Sequence, residues 1–130
     1  HALANRDSLS IKDLSGFPMI NFSPQANPIT SDFNKQIFKK AGAQLNIVRE
    51  IPNIETAAFC ASINEGVFIM PEYLLSSIGS LRTVPLTDSF AYVTLNLIWK
   101  KKNPNISIPV FVDSFSTYIQ NRNPNLAPAD

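Results

Sequence analysis

The amino-acid sequence predicts an α/β fold, a largely parallel sheet flanked by helices, and three observations carry that expectation. Short apolar runs alternate with helical patterns along most of the chain, an order that gives parallel strands joined by right-handed crossovers. One run, residues 67–70, is apolar at every position, as suits a central parallel strand covered on both faces. Gly and Pro fall between the runs, at Pro24, Gly42, Pro52, Gly66, Pro71 and Gly79, where they end one element and admit the next.

Taken in order, residues 17–22 place Phe17, Met19, Ile20 and Phe22 between Gly16 and Ser23. They are expected to form a strand with Pro18 near its start, because proline cannot donate to a ladder. Residues 23–30, with Pro24 and Pro28, are expected to be a loop. Ser31 is expected to cap a helix running to about Ala41. Phe33, Ile37 and Ala41 recur at i, i+4 and i+8 on one face, and Lys35, Lys39 and Lys40 face water. Gly42 stands where a left-handed terminator belongs.

Leu45, Ile47, Val48 and Ile51 outline a second strand whose alternation is imperfect, and Pro52 stops it. Asn53 is expected to cap a helix through Asn64, with Glu55 in the first turn, where a negative charge suits the helix dipole. The middle of that helix is small and apolar (Ala57, Ala58, Cys60, Ala61), which permits close approach to a sheet. Asn64, Glu65 and Gly66 turn the chain into the strand at 67–70. Pro71 then opens a short helix over residues 72–78, ended by Gly79.

Residues 81–86 are expected to form a further strand, at an edge because of Pro85. Residues 91–99 alternate cleanly and make the best strand signal in the chain. Ala91, Val93, Leu95, Leu97 and Trp99 share one face; Tyr92, Thr94, Asn96 and Ile98 share the other. After a turn at Asn103, Pro104 and Asn105, Ser107 is expected to cap a last helix. Ile108, Phe111, Val112, Phe115, Tyr118 and Ile119 form its apolar stripe. Residues 121–130, with Pro124 and Pro128, are expected to fray.

Composition excludes several function classes. The 130 residues are 45% hydrophobic and 16% charged, the profile of one ordinary globular domain. A net charge of +1 lacks the basic excess of a nucleic-acid-binding domain. The one compact basic run, Lys100, Lys101 and Lys102, reads as a solvated strand end. Cys60 and His1 are the single cysteine and histidine, so neither a metal-ligand spacing nor a Cys/His nucleophile pair can be assembled, and no cofactor is implied. Cys60 lies among alanines and reads as a small core residue.

Asp32, Glu50, Glu55, Glu65 and Glu72 are scattered, and neither a Ser/His/Asp pattern nor a phosphate-cradling glycine loop is present. No catalytic residue is assigned, and the chain is not expected to be an enzyme. No stretch approaches the roughly 20 apolar residues of a membrane span, and no export signal opens the chain. A start at His1 rather than methionine reads as a cut.

Open parallel sheets bind ligands outside the carboxyl ends of their strands. That rule selects residues 23–27, 52–56 and 70–72, two of which lead into helix N-termini with free N–H groups and partial positive charge.

The segments also line up with a known family. His1, Ala2, Leu3 and Ala4 resemble the histidine-proline-leucine-alanine motif of LysR-type transcriptional regulators, with Ala2 in the place of proline. Leu9, Ser10, Ile11, Lys12, Asp13 and Leu14 resemble the short helix that follows it, residues 17–22 the next strand, and residues 38–42 the helix end before the usual second strand. Residues 61–71 resemble the family's alanine-glycine-x-glycine turn, apolar strand and proline. Gly66 and Pro71 are kept, and Asn64 replaces the first glycine, which asparagine's tolerance of left-handed backbone permits. Residues 91–99 with Lys100, then Pro104, then Phe111 and Phe115 resemble the family's closing strand, proline and aromatic helix.

The resemblance implies a sensor lobe of the type 2 periplasmic-binding-protein fold. Residues 1–16 would be a crossing segment between two lobes, 17–87 the second lobe, 88–121 a returning strand and first-lobe helix, and 122–130 a flexible tail. The DNA-binding helix-turn-helix and most of the first lobe would lie outside this chain.

A small effector, anionic in many members of the family, would bind between the lobes and modulate DNA binding of a cytoplasmic homo-oligomer without membrane contact. The effector-binding candidates are then Ser23, Asn53, Ile54, Thr56, Met70 and Pro71. Each also has a structural role open to it: Ser23 as a turn serine, Asn53 and Thr56 as a cap, Ile54 in the core, Met70 and Pro71 as punctuation. Phe22 and Tyr92 read as core or hinge residues. Without its first lobe, the apolar faces of residues 91–99 and of the last helix are expected to drive self-association or strand rearrangement. The alternative is a solute-binding protein of a transport system with the same fold. A small α/β enzyme, which would need titratable groups converging in a pocket, is the third.

Overall fold

The computed structural model describes residues 2–79 and 81–122. His1, Ser80 and residues 123–130 lie outside the described part, and with them the first residue of the family motif and nearly all of the expected tail. The chain divides into two compact units, His1–Thr94 and Leu95–Asp130.

The larger unit is organised by a β-α-β element. Strand β1 (Pro18–Phe22) leads through helix α1 (Pro28–Ala41) to strand β2 (Asn46–Ile51), and the two strands pair in parallel. Their register slips between Met19 and Ile20, whose partners are Ile47 and Arg49. Val48 is the extra residue, and it is exposed. The imperfect alternation of the second strand is this bulge, which inserts one residue and shifts every later side chain by one place.

On its other side β1 meets Val67. The Ile20 N–H donates to the Val67 carbonyl (2.8 Å) and the Val67 N–H to the Pro18 carbonyl (2.9 Å). The central strand is therefore β1, and the wholly apolar run at 67–70 contributes only a single bridge at the edge.

Successive residues of β1 point to opposite faces, and each face has its own core. Met19 packs with Ile37, Phe38, Ile11 and Leu14; Ile20 packs with Ile51, Ala57 and Cys60. Helix α1 thus covers one face of the sheet, and helix α2 (Ile54–Ser62) the other. Largely parallel, helix-flanked α/β architecture is what the alternation of the sequence predicts.

Helix boundaries bear out some expectations and correct others. Helix α1 begins three residues before Ser31. Asn27 is its N-cap, accepting from the Thr30 N–H (3.0 Å), and Pro28 follows in the first helical turn. Asn-Pro outcompetes Ser31 because proline's fixed φ is preorganised for that turn. Ser31 is instead fully buried against β1.

Gly42 closes α1 in the left-handed conformation (φ 63°), as expected. Helix α2 is capped by Asn53 but stops at Ser62, short of Asn64. Asn64 has φ 61°, which a right-handed helix cannot contain, and this lets it replace glycine in the turn. Gly66 is required for a different reason: a Cβ there would lie 2.7 Å from the Pro18 carbonyl oxygen.

Beyond Pro71 the expected short helix is a 3-10 turn, Glu72–Ser77. The strand expected at 81–86 is reduced to one bridge between Leu86 and Leu9, because Pro85 has no N–H with which to extend it.

The strand expected at 91–99 is not formed: residues 92–99 carry no backbone pairing with any other described segment. A strand exists only through its neighbour's hydrogen bonds, and alternation alone does not supply one. Lys100 instead begins a turn, its carbonyl accepting from the Asn103 N–H (3.0 Å). Helix α3 (Ser107–Arg122) has Ser107 as its first residue, not its cap, and the Asn105 side chain accepts the Ser107 N–H (2.9 Å).

Candidate functional site

The carboxyl ends of the sheet lie close in register. Phe22 pairs with Ile51, and the Ser23 N–H adds one more rung to the Ile51 carbonyl (2.9 Å). There the chain turns. The Ser23 carbonyl accepts from Ala26 (3.1 Å) and Asn27 (2.9 Å), and its Oγ accepts from the Ala26 N–H (3.2 Å). This turn delivers the chain into α1 within four residues. On the neighbouring strand, Pro52 and Asn53 deliver it into α2.

Two helices of 14 and 9 residues therefore begin on one edge of the sheet. Each leaves first-turn N–H groups without intrahelical acceptors and carries a partial positive charge there. Helix α1 has no acidic residue in its first turn, whereas α2 carries Glu55. The α1 end is therefore the less negatively charged of the two, but Pro28 has no N–H and Asn27 takes that of Thr30, so it offers fewer free donors than the start of α2.

Of the residues selected from sequence, Ser23, Asn53, Ile54 and Thr56 occupy this edge. Ser23 is half-buried, and its hydroxyl hydrogen has no acceptor among the described residues. Asn53 is exposed; its Oδ1 accepts from both the N–H (2.9 Å) and the hydroxyl (2.7 Å) of Thr56. The Thr56 proton is thus committed to the cap, and the acceptor face of its oxygen remains. Ile54 is half-buried at the first helical position.

Met70 and Pro71 are also half-buried. Val67 pairs with Met19, so Met70 lies as far along its segment as Phe22 lies along β1. Pro71 leads into the 3-10 turn and provides no side-chain cap.

Two features of the site escaped sequence reasoning. Asn27 falls in the selected stretch 23–27 but was not named as a cap; it stands at the α1 end, and the Asn-Pro pair was its signal. Behind the edge, β1 and α1 share a buried polar cluster. The Asn34 amide donates to Asn21 Oδ1 (2.8 Å), and the Asn21 amide donates to Ser31 Oγ (3.4 Å). All three are at least 97% buried, and Asn34 Oδ1 has no partner among the described residues. Such a group costs about 1–3 kcal/mol. The signal was a polar residue inside an apolar run, facing two polar residues at core positions of a helix.

The titrating groups that are displaced lie elsewhere. Glu65, in the turn after α2, is held below the usual carboxylate range by the Arg49 guanidinium and then by the Cys60 thiol. Arg49 is raised in turn, chiefly by its hydrogen bond to Glu65. Burial first, and Glu65 second, push the Cys60 thiol up, so it is held protonated within the core, as its alanine neighbours foretold. Asp13 is lowered by the Ser10 backbone N–H that it accepts (2.7 Å). Among the described residues no group of histidine, cysteine, aspartate and glutamate could hold a metal ion.

The architecture is helix plus parallel sheet, α/β, and a family match makes its class a periplasmic-binding-protein-like fold. The family model described as LysR substrate binding domain matches residues 1–118, and the chain belongs to that family. The domain is the effector-sensing region of LysR-type regulators, a family of regulators and not of enzymes. No curated protein and no solved structure gives a significant match. No helix among the described residues is long and apolar enough to cross a membrane.

Proposed function

We propose that this chain senses a small anionic metabolite, held between the carboxyl edge of its sheet and a second lobe. The family match favours a regulator over a transport-type binder of the same fold. The observation that carries the anionic class is the start of two helices on one edge, with Ser23, Asn27, Asn53 and Thr56 at their beginnings. N–H groups and helix dipoles there suit a carboxylate or a comparable oxyanion. Ile54, Met70 and Pro71 would supply apolar contact around it.

In this reading residues 1–16 and about 88–96 cross between lobes, residues 17–87 are one lobe, and α3 belongs to the other. DNA is bound through a helix-turn-helix elsewhere in the regulator, which acts in the cytoplasm as a homo-oligomer. The effector shifts lobe closure by no more than its differential affinity for the two arrangements.

The test is a panel of small carboxylates and their neutral amides, titrated against the intact regulator while operator binding and melting temperature are followed. At least one carboxylate is expected to alter both, and its amide neither. A response to neutral ligands alone, or none across a broad panel, would overturn the anionic sensor.

A further inference from the structure

A hydrogen bond spanning 77 residues closes the larger unit. Residues 9–11 run parallel to residues 85–88. The Leu9 N–H donates to the Pro85 carbonyl (3.0 Å), and the Thr87 N–H donates to the Leu9 carbonyl (3.0 Å). A regular parallel ladder would next send the Ile11 N–H to the Thr87 carbonyl. It goes instead to Oδ2 of Asp88, at 2.7 Å.

That substitution does two things at once. It ends the ladder, and it places a carboxylate at the first N–H of the 3-10 turn Ile11–Leu14, beside the Ser10 N–H already taken by Asp13. The bond is charge-assisted and so among the stronger kinds. Its donor belongs to Ile11, which is completely buried, and Leu9 and Leu14 are buried with it. Val84, Leu86, Phe90 and Ala91 pack on the same core, whereas residues 92–94 are exposed.

We infer that Asp88 is a positioning residue, a latch that ends the pairing of Leu9 with Leu86 and fixes where the chain leaves that pairing, ahead of Phe90 and Ala91 on the same core. Its relevance to an effector response rests on the function proposed above; the latch itself rests on the hydrogen bonds alone.

Amide hydrogen exchange on the intact protein tests it, comparing the wild type with Asp88→Ala and Asp88→Asn. In Asp88→Ala, exchange at Leu9, Ile11 and Thr87 is expected to accelerate at least about tenfold, the equivalent of 1.4 kcal/mol, while Ile20 and Val67 keep their wild-type rates. Asp88→Asn retains an acceptor oxygen, and its acceleration is expected to be smaller and confined to the same amides. Unchanged exchange at Ile11 would overturn the latch. So would acceleration of Ile20 and Val67 by the same factor, which would mark Asp88 as a general stabiliser. If Asp88→Ala does not fold, the pattern in Asp88→Asn decides by the same criterion. Failure of every carboxylate to act on the regulator would remove the sensing proposal and leave this exchange pattern as predicted.

Discussion

Two stretches of comparable apolar content meet different fates in this chain. Within residues 9–78 the apolar side chains of β1, α1 and α2 find one another, and Ile11, Met19, Ile20, Phe38, Ile51 and Ala57 are all but inaccessible. In residues 92–122 the pattern is at least as regular, yet Val93, Leu95, Leu97, Trp99 and Phe111 stay exposed, and Ile98 and Ile106 reach 90% and 88% exposure. A periodic apolar face states what a segment can bury. Whether it buries anything depends on a partner, and residues 92–99 have no paired strand among the described residues. Helix α3 forms nonetheless, because its hydrogen bonds are internal to it. The difference separates a helix, which needs only itself for its backbone, from a strand, which does not.

The sharpest way to break this comparison is one truncation in each stretch. Phe38→Ala removes a ring that is 1% exposed in the core under α1 and is expected to cost about 3–5 kcal/mol. Phe111→Ala removes one that is 57% exposed and stacked on Phe115 at 5.8 Å. Its expected cost is within about 0.5–1.5 kcal/mol, the worth of an aromatic pair. Urea denaturation followed by circular dichroism measures both, and equal losses would show that Phe111 is buried in solution. Next in size is Gly66→Ala, whose methyl would press on the Pro18 backbone. It is expected to cost about 1–3 kcal/mol, read from the same denaturation midpoint, although the residue's φ is not positive and glycine's conformational freedom is not at issue.

The same contrast explains what the sequence disclosed. Helix faces were legible in α1 because Ile37, Ala41 and the three lysines follow a local period, and caps were legible at Asn53 and Gly42 because they act within one turn. The parallel α/β class followed from the order of segments. What was not legible depends on neighbours distant in sequence. The clearest strand pattern had no ladder, the wholly apolar run at 67–70 went to the edge, and β1 took the centre while carrying Asn21. Asn21 is tolerated there because Asn34 and Ser31, on a helix that arrives later, meet its amide. At the candidate site, sequence rules found the start of α2 at Asn53 but placed that of α1 at Ser31 and missed Asn27 as its cap, since the two prolines around it read as loop punctuation.

Capping sharpens the comparison at a smaller scale, because α1 and α2 begin on the candidate edge while α3 does not lie in the same unit. Asn53→Ala removes the acceptor of the Thr56 N–H and hydroxyl, and Asn27→Ala removes that of the Thr30 N–H. Each is expected to destabilise the larger unit by about 1 kcal/mol, with the amides of α3 unaffected in hydrogen exchange. Gly in place of either Asn should restore most of the loss. If the edge binds an anion as proposed, the same substitutions weaken that binding more than the loss of folding stability accounts for.

The smallest effect is a pH dependence confined to one unit. All the clearly displaced groups, Asp13, Arg49, Cys60 and Glu65, belong to residues 1–94. Glu65 is depressed by Arg49, so the unfolded chain takes up its proton at a higher pH than the folded one does. Stability from that pair is complete above the ordinary glutamate value near 4.5 and drains away as the pH falls through the lower folded value. Cys60 behaves in the opposite sense. Its folded value is raised above 9.0, so its contribution is complete below that pH and is lost as the pH climbs through the folded value. Acid titration should therefore open the amides of β2, which carries Arg49, and the turn at Asn64 before it alters the helicity of α3. Glu65→Gln should flatten part of the acid limb, and Cys60→Ala the alkaline one. Simultaneous loss of both units across the acid limb would mean that they unfold as one, and the contrast between the two stretches would then be one of packing and not of cooperativity.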